Sequence, residues 1–330
     1  MNFDDKTNDG LVQEIDRICG STYANHSYKT KASRINGALD RYLSLAFESD
    51  GRWSFDDLTE TSPPIDTQNI VSGTNRYKFS AFTETILNLL KLEVLDSSGN
   101  GLELIPETMD TLGGGIVTSQ TGRISGYTTG NFQELYLSPN SGTPTHYLKY
   151  GDFIYLRPSP NYNESDGLKV YFNRPASKFN YVSCTISQAS PGVVTATAHG
   201  MSEDDIIILQ TDGALPTGLS ADTTYYLVAT VAANTFSLSA TKGGTAINTT
   251  SAGSGNHSYI QTNVAPGIPV THHNYLARHA SLPYLIEKNL NQMASIAQQI
   301  IADEQEIRQF FPNRDPDVRQ GFSVRQQNNK

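Results

Sequence analysis

An amphipathic stripe with no partner nearby in the sequence constrains this chain more than any other feature. Between about Lys29 and Phe47, Ile35, Ala38, Leu39, Tyr42, Leu45 and Ala46 recur at helical spacing, so a helix here presents one apolar face that must be covered. Just before it, Leu11, Val12, Ile15, Ile18 and Cys19 share a face of a shorter helix, and Gly20 is a natural stop. Helical text then disappears until the last quarter of the chain. There Leu276, Ala280, Leu285, Ile286, Leu290, Met293, Ala297, Ile300 and Ile307 resume the period as far as about Phe310. Read as one long C-terminal helix, kinked or broken near His279–Pro283, this segment supplies the face that the two N-terminal helices lack. The helical half is split between the two ends of the chain.

Between them the text is β-rich. DTQNIVSG and NRYKFS cluster strand formers between turn signals, and KLEVLDSSGNGLELIPE reads as a hairpin. FQELYLSP, DFIYLRPSP and GLKVYFNRP are further strands ended by Pro or Asn. Trp53 and Phe55 alternate as strand residues sharing a buried face. The stretch TLGGGIVTSQTGRISGYTTGN has no apolar period, which marks a functional or partner-ordered loop. From Val182 to Thr262 the strands VSCTI, VVTAT, DIIILQ, TYYLVAT, TFSLS, TAIN and HSYI follow one another at short, even spacing, the pattern of a small sandwich or barrel. This module holds five carboxylates and one Lys and interrupts the body as an insertion. The fold class expected is α+β: a helical bundle of two N-terminal helices and a long C-terminal one, an antiparallel β part, and an inserted all-β domain. The parse is residues 1–181 with 263–311 as body, 182–262 as insert, and 312–330 as an extended tail. The insert's ends are expected to lie close together, and the body to fold without it.

Composition and motifs bound the chemistry. A net charge of −9 opposes a role in coating nucleic acid. The acidic opening MNFDDK lacks the form of a secretory signal, and no apolar run reaches the ~18 residues that cross a bilayer. Cys19 and Cys184 read as buried free thiols of a protein made in a reducing cytoplasm. The chain has no GxxxxGK[ST] loop, GxSxG elbow or HExxH pair. Gly113–Gly115 is a loop, Asp56-Asp57 a capping or turn pair, and Glu203-Asp204-Asp205 a solvated turn. His272, His273 and His279 lack a suitable further ligand nearby and are assigned to a helix start and packing. No catalytic, cofactor or metal site is expected, and the chain is read as not being an enzyme.

Three stretches carry a resemblance. RINGALDRYLSLAFESDGRWSFDDLTETSPPIDTQNIVSGTNRYKF resembles the head-to-tail adaptor (connector) proteins of tailed bacteriophages, through Arg34, Asn36, Leu39, Trp53, Phe55, Asp56, Asp57, Pro64, Ile65 and Tyr77. VYFNRPASKF and PGIPVTHHNYLARHAS are similar to that family's sheet end and helix start, and the insert looks like a β module of phage tail and virion proteins. The resemblance implies a structural virion protein at the head–tail junction, assembled in the host cytoplasm. Such a protein forms a ring of about twelve copies between the portal protein and a tail (nozzle or tail-completion) protein. Genomic DNA passes through the ring without sequence-specific binding, which suits an acidic subunit, and no membrane is involved. The rival readings are a tail-tube or tail-completion protein, a β-rich adhesion or binding protein, and a hydrolase. The first lacks a reason for the C-terminal helix, the second a secretion signal, and the third a clustered acid/base pair.

The tail PNRDPDVRQGFSVRQQNNK has side-chain charge +2, four basic residues less two acidic ones. Pro312 is expected to stop the helix and Pro316 to keep the chain extended. Arg314, Val318, Arg319, Phe322, Val324 and Arg325 then space apolar and cationic anchors along an arm that docks on a partner by strand addition or groove binding. The resemblance assigns that partner as the portal.

Overall fold

The computed structural model describes residues 1–4, 9–50, 62–108, 140–228 and 231–314. The fold is mixed α+β, with four α-helices among the described residues and several antiparallel sheets. The chain divides into two units, Leu58–Pro175 and the combination of Met1–Asp57 with Ala176–Lys330. Trp53, Phe55, Asp56, Asp57, FQELYLSP up to residue 139, and the glycine-rich stretch lie outside the described residues.

Leu58–Pro175 is built from two sheets around one core. Strands β1 (Ile65–Ile70), β2 (Arg76–Lys78), β3 (Asn88–Leu95), β4 (Gly101–Glu103), β5 (Ile105–Glu107), β6 (His146–Tyr150), β7 (Phe153–Arg157) and β8 (Glu164–Asn173) run in chain order. They assort as β1-β8-β3-β4 and β2-β7-β6-β5. The hairpin read in KLEVLDSSGNGLELIPE forms between β3 and β4. Asp96 closes its turn by accepting the N–H groups of Ser98 and Asn100, and Gly99 takes φ 79° there. Between β4 and β5 the chain passes from one sheet to the other at Leu104, which is 2% exposed. Inward residues of both sheets, among them Tyr77, Leu92, Val94, Ile154, Leu156, Val170 and Phe172, make a single cluster. One pairing departs from the expected antiparallel pattern, since β5 and β6 are parallel. A parallel pair cannot be joined by a tight hairpin and needs a longer return along the chain.

In the other unit, helices α1 (Leu11–Cys19), α2 (Tyr28–Asp50), α3 (His273–Glu287) and α4 (Met293–Arg314) come from the two ends of the chain. α1 ends as its sequence dictates, with Gly20 in the left-handed region at φ 60°. All six residues of the α2 stripe are 0% exposed. They share one cluster with Leu276, Ala280, Leu285, Ile300, Ile307 and Phe311. The residues before α1 join the same core: Phe3 donates its N–H to the Val264 carbonyl at 2.8 Å and stacks on Phe179 at 4.9 Å.

The C-terminal helix is two helices, and the break is not at Pro283, which sits inside α3. It falls at Asn289, with φ 51°. The Asn289 N–H bonds the Ile286 carbonyl and the Leu290 N–H the Leu285 carbonyl, the pair of hydrogen bonds of a Schellman stop. Buried Tyr284 and Leu285 follow Pro283 directly, so tertiary packing holds the helix through it. Pro312 likewise fails to stop α4, which continues to Arg314. Ile307 and Phe311 are 1% and 3% exposed, and this anchorage offsets one missing N–H in a last turn.

The β module of this unit contains β9 (Val182–Ile186), β10 (Val194–Thr195), β11 (Ile206–Thr211), β12 (Thr224–Leu227), β13 (Thr235–Phe236), β14 (Leu238–Ser239) and β15 (His257–Gln261). Their order is β13-β10-β9-β15-β11-β12-β14. The two outermost strands are separated in sequence only by Ser237, so the sheet curls nearly into a barrel. TAIN is not a strand, although Ile247 donates to the Leu238 carbonyl and packs on the module's core. Val182 pairs with Tyr259, which brings the module's ends together. Its core is not wholly its own, because Ile208 and Ile260 belong to the cluster formed by the helices.

Candidate interaction surface

Of the docking residues proposed from sequence, Arg314 is the final residue of α4. Val318, Arg319, Phe322, Val324 and Arg325 lie outside the described residues. The segment's starting point is nevertheless fixed, because Tyr42 meets Phe311 edge-on at 5.9 Å and His272 meets Phe310 at 4.8 Å.

The histidines serve packing. The Tyr42 hydroxyl lies 2.6 Å from His272 Nδ1, and His273 Nε2 lies 3.1 Å from the Ile268 carbonyl. Burial holds the pKa of His272, His273 and His279 below the ordinary value. Among the described residues, no group of three or more His, Cys, Asp or Glu side chains could hold a metal. His272 and Arg278 border an open cavity of about 220 Å³, but Arg278 is committed to both oxygens of Asp303 at 2.8 and 2.7 Å. Cys19 and Cys184 are free and buried; burial raises both, Cys184 to about 11, so they remain thiols near neutral pH. Asp205 in the Glu203-Asp204-Asp205 turn accepts the Ser202 N–H, and Asp204 pairs with Lys242.

Three stretches that carry the adaptor resemblance meet within the helical unit. Asn36 on α2 donates to the Phe179 carbonyl and accepts the Phe179 N–H, both at 2.9 Å, and so clamps Phe179 to the helix. Ile268 of PGIP and Leu39 belong to the same core, and the Tyr42–His272 hydrogen bond joins α2 to the start of α3. Farther along, Arg41 on α2 binds Glu304 on α4 through two hydrogen bonds of 2.9 and 2.8 Å.

The charge inventory points to another surface. Among the described residues most Lys and Arg side chains are paired with carboxylates, including Lys31 with Asp16, Arg157 with Glu107 and Arg174 with Glu84. Arg76 and Lys78, both exposed on β2, have no carboxylate partner among the described residues and share one ring, Phe153, at 4.7 and 5.7 Å from its centroid. The sequence showed these residues only as ordinary strand text, because their pairing state depends on which carboxylates folding brings near. No protein-family model matches the chain, and no curated protein matches it. No helix among the described residues is long and apolar enough to cross a membrane.

Proposed function

We propose that this chain is a structural virion protein, a head-to-tail adaptor that forms a ring between portal and tail and lines the DNA conduit. The helical bundle and the two-sheet part form the ring body, and the β module is inserted into it and shares the helical core through Ile208 and Ile260. The observation that supports this reading most is the convergence of the adaptor-like stretches: Asn36 on Phe179, Tyr42 on His272, and Leu39 with Ile268 in one core. A residue pattern resembling a family gains weight when its widely separated pieces are one another's structural partners. The function needs no catalytic step, and we assign none. A net charge of −9 lets DNA slide past without being gripped. Arg314, Val318, Arg319, Phe322, Val324 and Arg325 form the arm that reaches the portal. A tail-tube or tail-completion protein of the same virion is the second reading, favoured by the β-rich composition of the module.

Electron microscopy of the purified protein and of labelled virions tests the assignment. Rings, and label at the head–tail junction, are expected; label along the tail would favour the second reading. Truncation after Phe311 is expected to abolish capture by portal rings while leaving the circular dichroism unchanged. Undiminished capture would sink the arm.

A further inference from the structure

We propose that the hairpin end of the β2-β7-β6 sheet, with Arg76, Lys78, Phe153 and Tyr150, is one half of the contact between successive copies of this chain and receives carboxylates of the neighbouring copy. The inference rests on the ring reading above and gives that ring one of its two unlike faces.

Alternation along the strands defines the face. Tyr77 and Ile154 point into the core between the two sheets, so Arg76 and Lys78 on β2 and Phe153 on β7 point away from it. Leu148 and Tyr155 share that outer face and are buried, so its exposed part is confined to the β2 edge and the hairpin end. Tyr150 on β6 is directly opposite Phe153 in the register and is 52% exposed. Two cations two residues apart on a strand repel each other, and here both lean on one aromatic ring instead of on acids. The nearest acid in sequence on β7's hairpin, Asp152, is committed to the N–H and hydroxyl of Ser80. The cation pair is therefore left with unspent charge beside an aromatic platform. Arg and Tyr are the side chains that dominate protein interfaces, whereas Lys is commoner at their rims.

Charge complementarity selects the occupant. The chain has 33 acidic and 24 basic residues, so every copy carries carboxylates that its own cations cannot neutralise. Identical copies of charge −9 repel at long range, and closing a ring requires local patches of opposite sign. A DNA strand meets the same long-range repulsion and finds few spare cations here, Arg76 and Lys78 with Lys149 beside Tyr150, too few for a counterion-release binder. Cations on an edge strand can also act simply as guards against strand pairing. Self-association separates these roles.

The experiment uses the full-length protein, with mass photometry over a concentration series at low and high salt. The wild type is expected to assemble, and to do so less at high salt. R76E/K78E is expected to raise the assembly midpoint at least about tenfold, or 1.4 kcal/mol, with circular dichroism unchanged. R76K/K78R is expected to retain assembly, and R76Q/K78Q guards against misfolding caused by reversed charge. Unchanged assembly of folded R76E/K78E overturns the inference. Increased assembly does so too, by revealing edge guards, as does loss of duplex-DNA binding with assembly intact. A wild type that captures portal rings yet stays monomeric alone would also overturn it, while leaving the adaptor reading in place. Assembly that depends on Arg76 and Lys78, without portal capture, would do the reverse.

Discussion

The helical region and the two-sheet unit solve the same problem, covering apolar faces, from opposite directions along the sequence. The helices draw on both chain ends: α2 stripe residues share a core with Leu276 and Ile307, and Arg41 reaches Glu304. Leu58–Pro175 closes its core from strands of its own segment, with Phe172 and Val170 facing Ile154 and Leu156 in one cluster. Their polar side chains differ accordingly. In the helices cations are consumed internally, the clearest being Lys31, 0% exposed, against Asp16 at 2.6 Å. On β2 they are left over. The helical region uses charged pairs such as Arg41–Glu304 to join distant segments, whereas the two-sheet unit pairs Arg157 and Arg174 within its own segment and leaves Arg76 and Lys78 without a carboxylate among the described residues.

The largest test of this contrast replaces residues 184–260 with a short Gly/Ser linker. Because Ile208 and Ile260 lie in the helical core, the remainder is expected to lose much of its helical circular dichroism or melt far earlier. An unaltered melt would show that the helices need nothing from the module. Residues 58–175 expressed alone are expected to retain β-type circular dichroism, since among the described residues their cluster draws on none outside that range.

Single core truncations come next. Phe172→Ala is expected to cost about 3–5 kcal/mol and Leu276→Ala about 2–5 kcal/mol in denaturant unfolding. The distinguishing result is spatial: hydrogen exchange is expected to accelerate around the truncated cluster first, in the sheets for Phe172 and in the helices for Leu276.

Breaking the buried pair ranks third. Asp16→Ala leaves Lys31 charged and enclosed, and is expected to cost about 3 kcal/mol, the lower end for such pairs because Asp16 is 26% exposed. A cost below about 1 kcal/mol would mean that Lys31 finds water.

Acid titration follows. Burial, with Lys31 and Arg34 nearby, lowers His26 to about 4. Its folded pKa lies below the unfolded value, so its contribution is present above about 6.5 and is lost as pH falls towards 4. The geometry agrees, for Arg34 can only donate to His26 Nε2, at 3.1 Å, and protonation would destroy that acceptor. Burial raises Asp222 in the β module to about 6, the opposite sign: its contribution is present below about 4 and lost as pH rises through 6. His26→Gln is therefore expected to flatten the acid side of the stability profile, and Asp222→Asn to remove a loss between pH 4 and 6. Matching slopes in both variants and the wild type would contradict both assignments. The smallest effect belongs to Lys242→Ala, an exposed pair with Asp204 at 3.5 Å, expected to change stability by less than about 1 kcal/mol.

Much of the architecture is legible in the sequence. The α2 stripe, the Gly20 stop, the β3–β4 hairpin, and strands at 182–186, 206–211 and 257–261 rest on periodicity and turn chemistry that act within a few residues. The need for the chain ends to meet followed from an amphipathic helix without a local partner. The docking arm is an expectation from proline positions, anchor spacing, local charge and the resemblance, and five of its six residues lie outside what the structure describes.

What tertiary structure decided are the places where distant contacts outweigh local preference. Pro283 and Pro312 stay helical because buried neighbours, Leu285 beside one and Phe311 beside the other, hold the turns. The break falls instead at Asn289, whose left-handed backbone and the Leu290 N–H complete a Schellman stop while Leu290 packs on the helical core. The parallel pairing of β5 with β6, and the sharing of Ile208 and Ile260 with the helices, have no local signature. Nor do the spare charges of Arg76 and Lys78, because a side chain's sequence fixes its charge, while only the fold fixes which opposite charges come within reach.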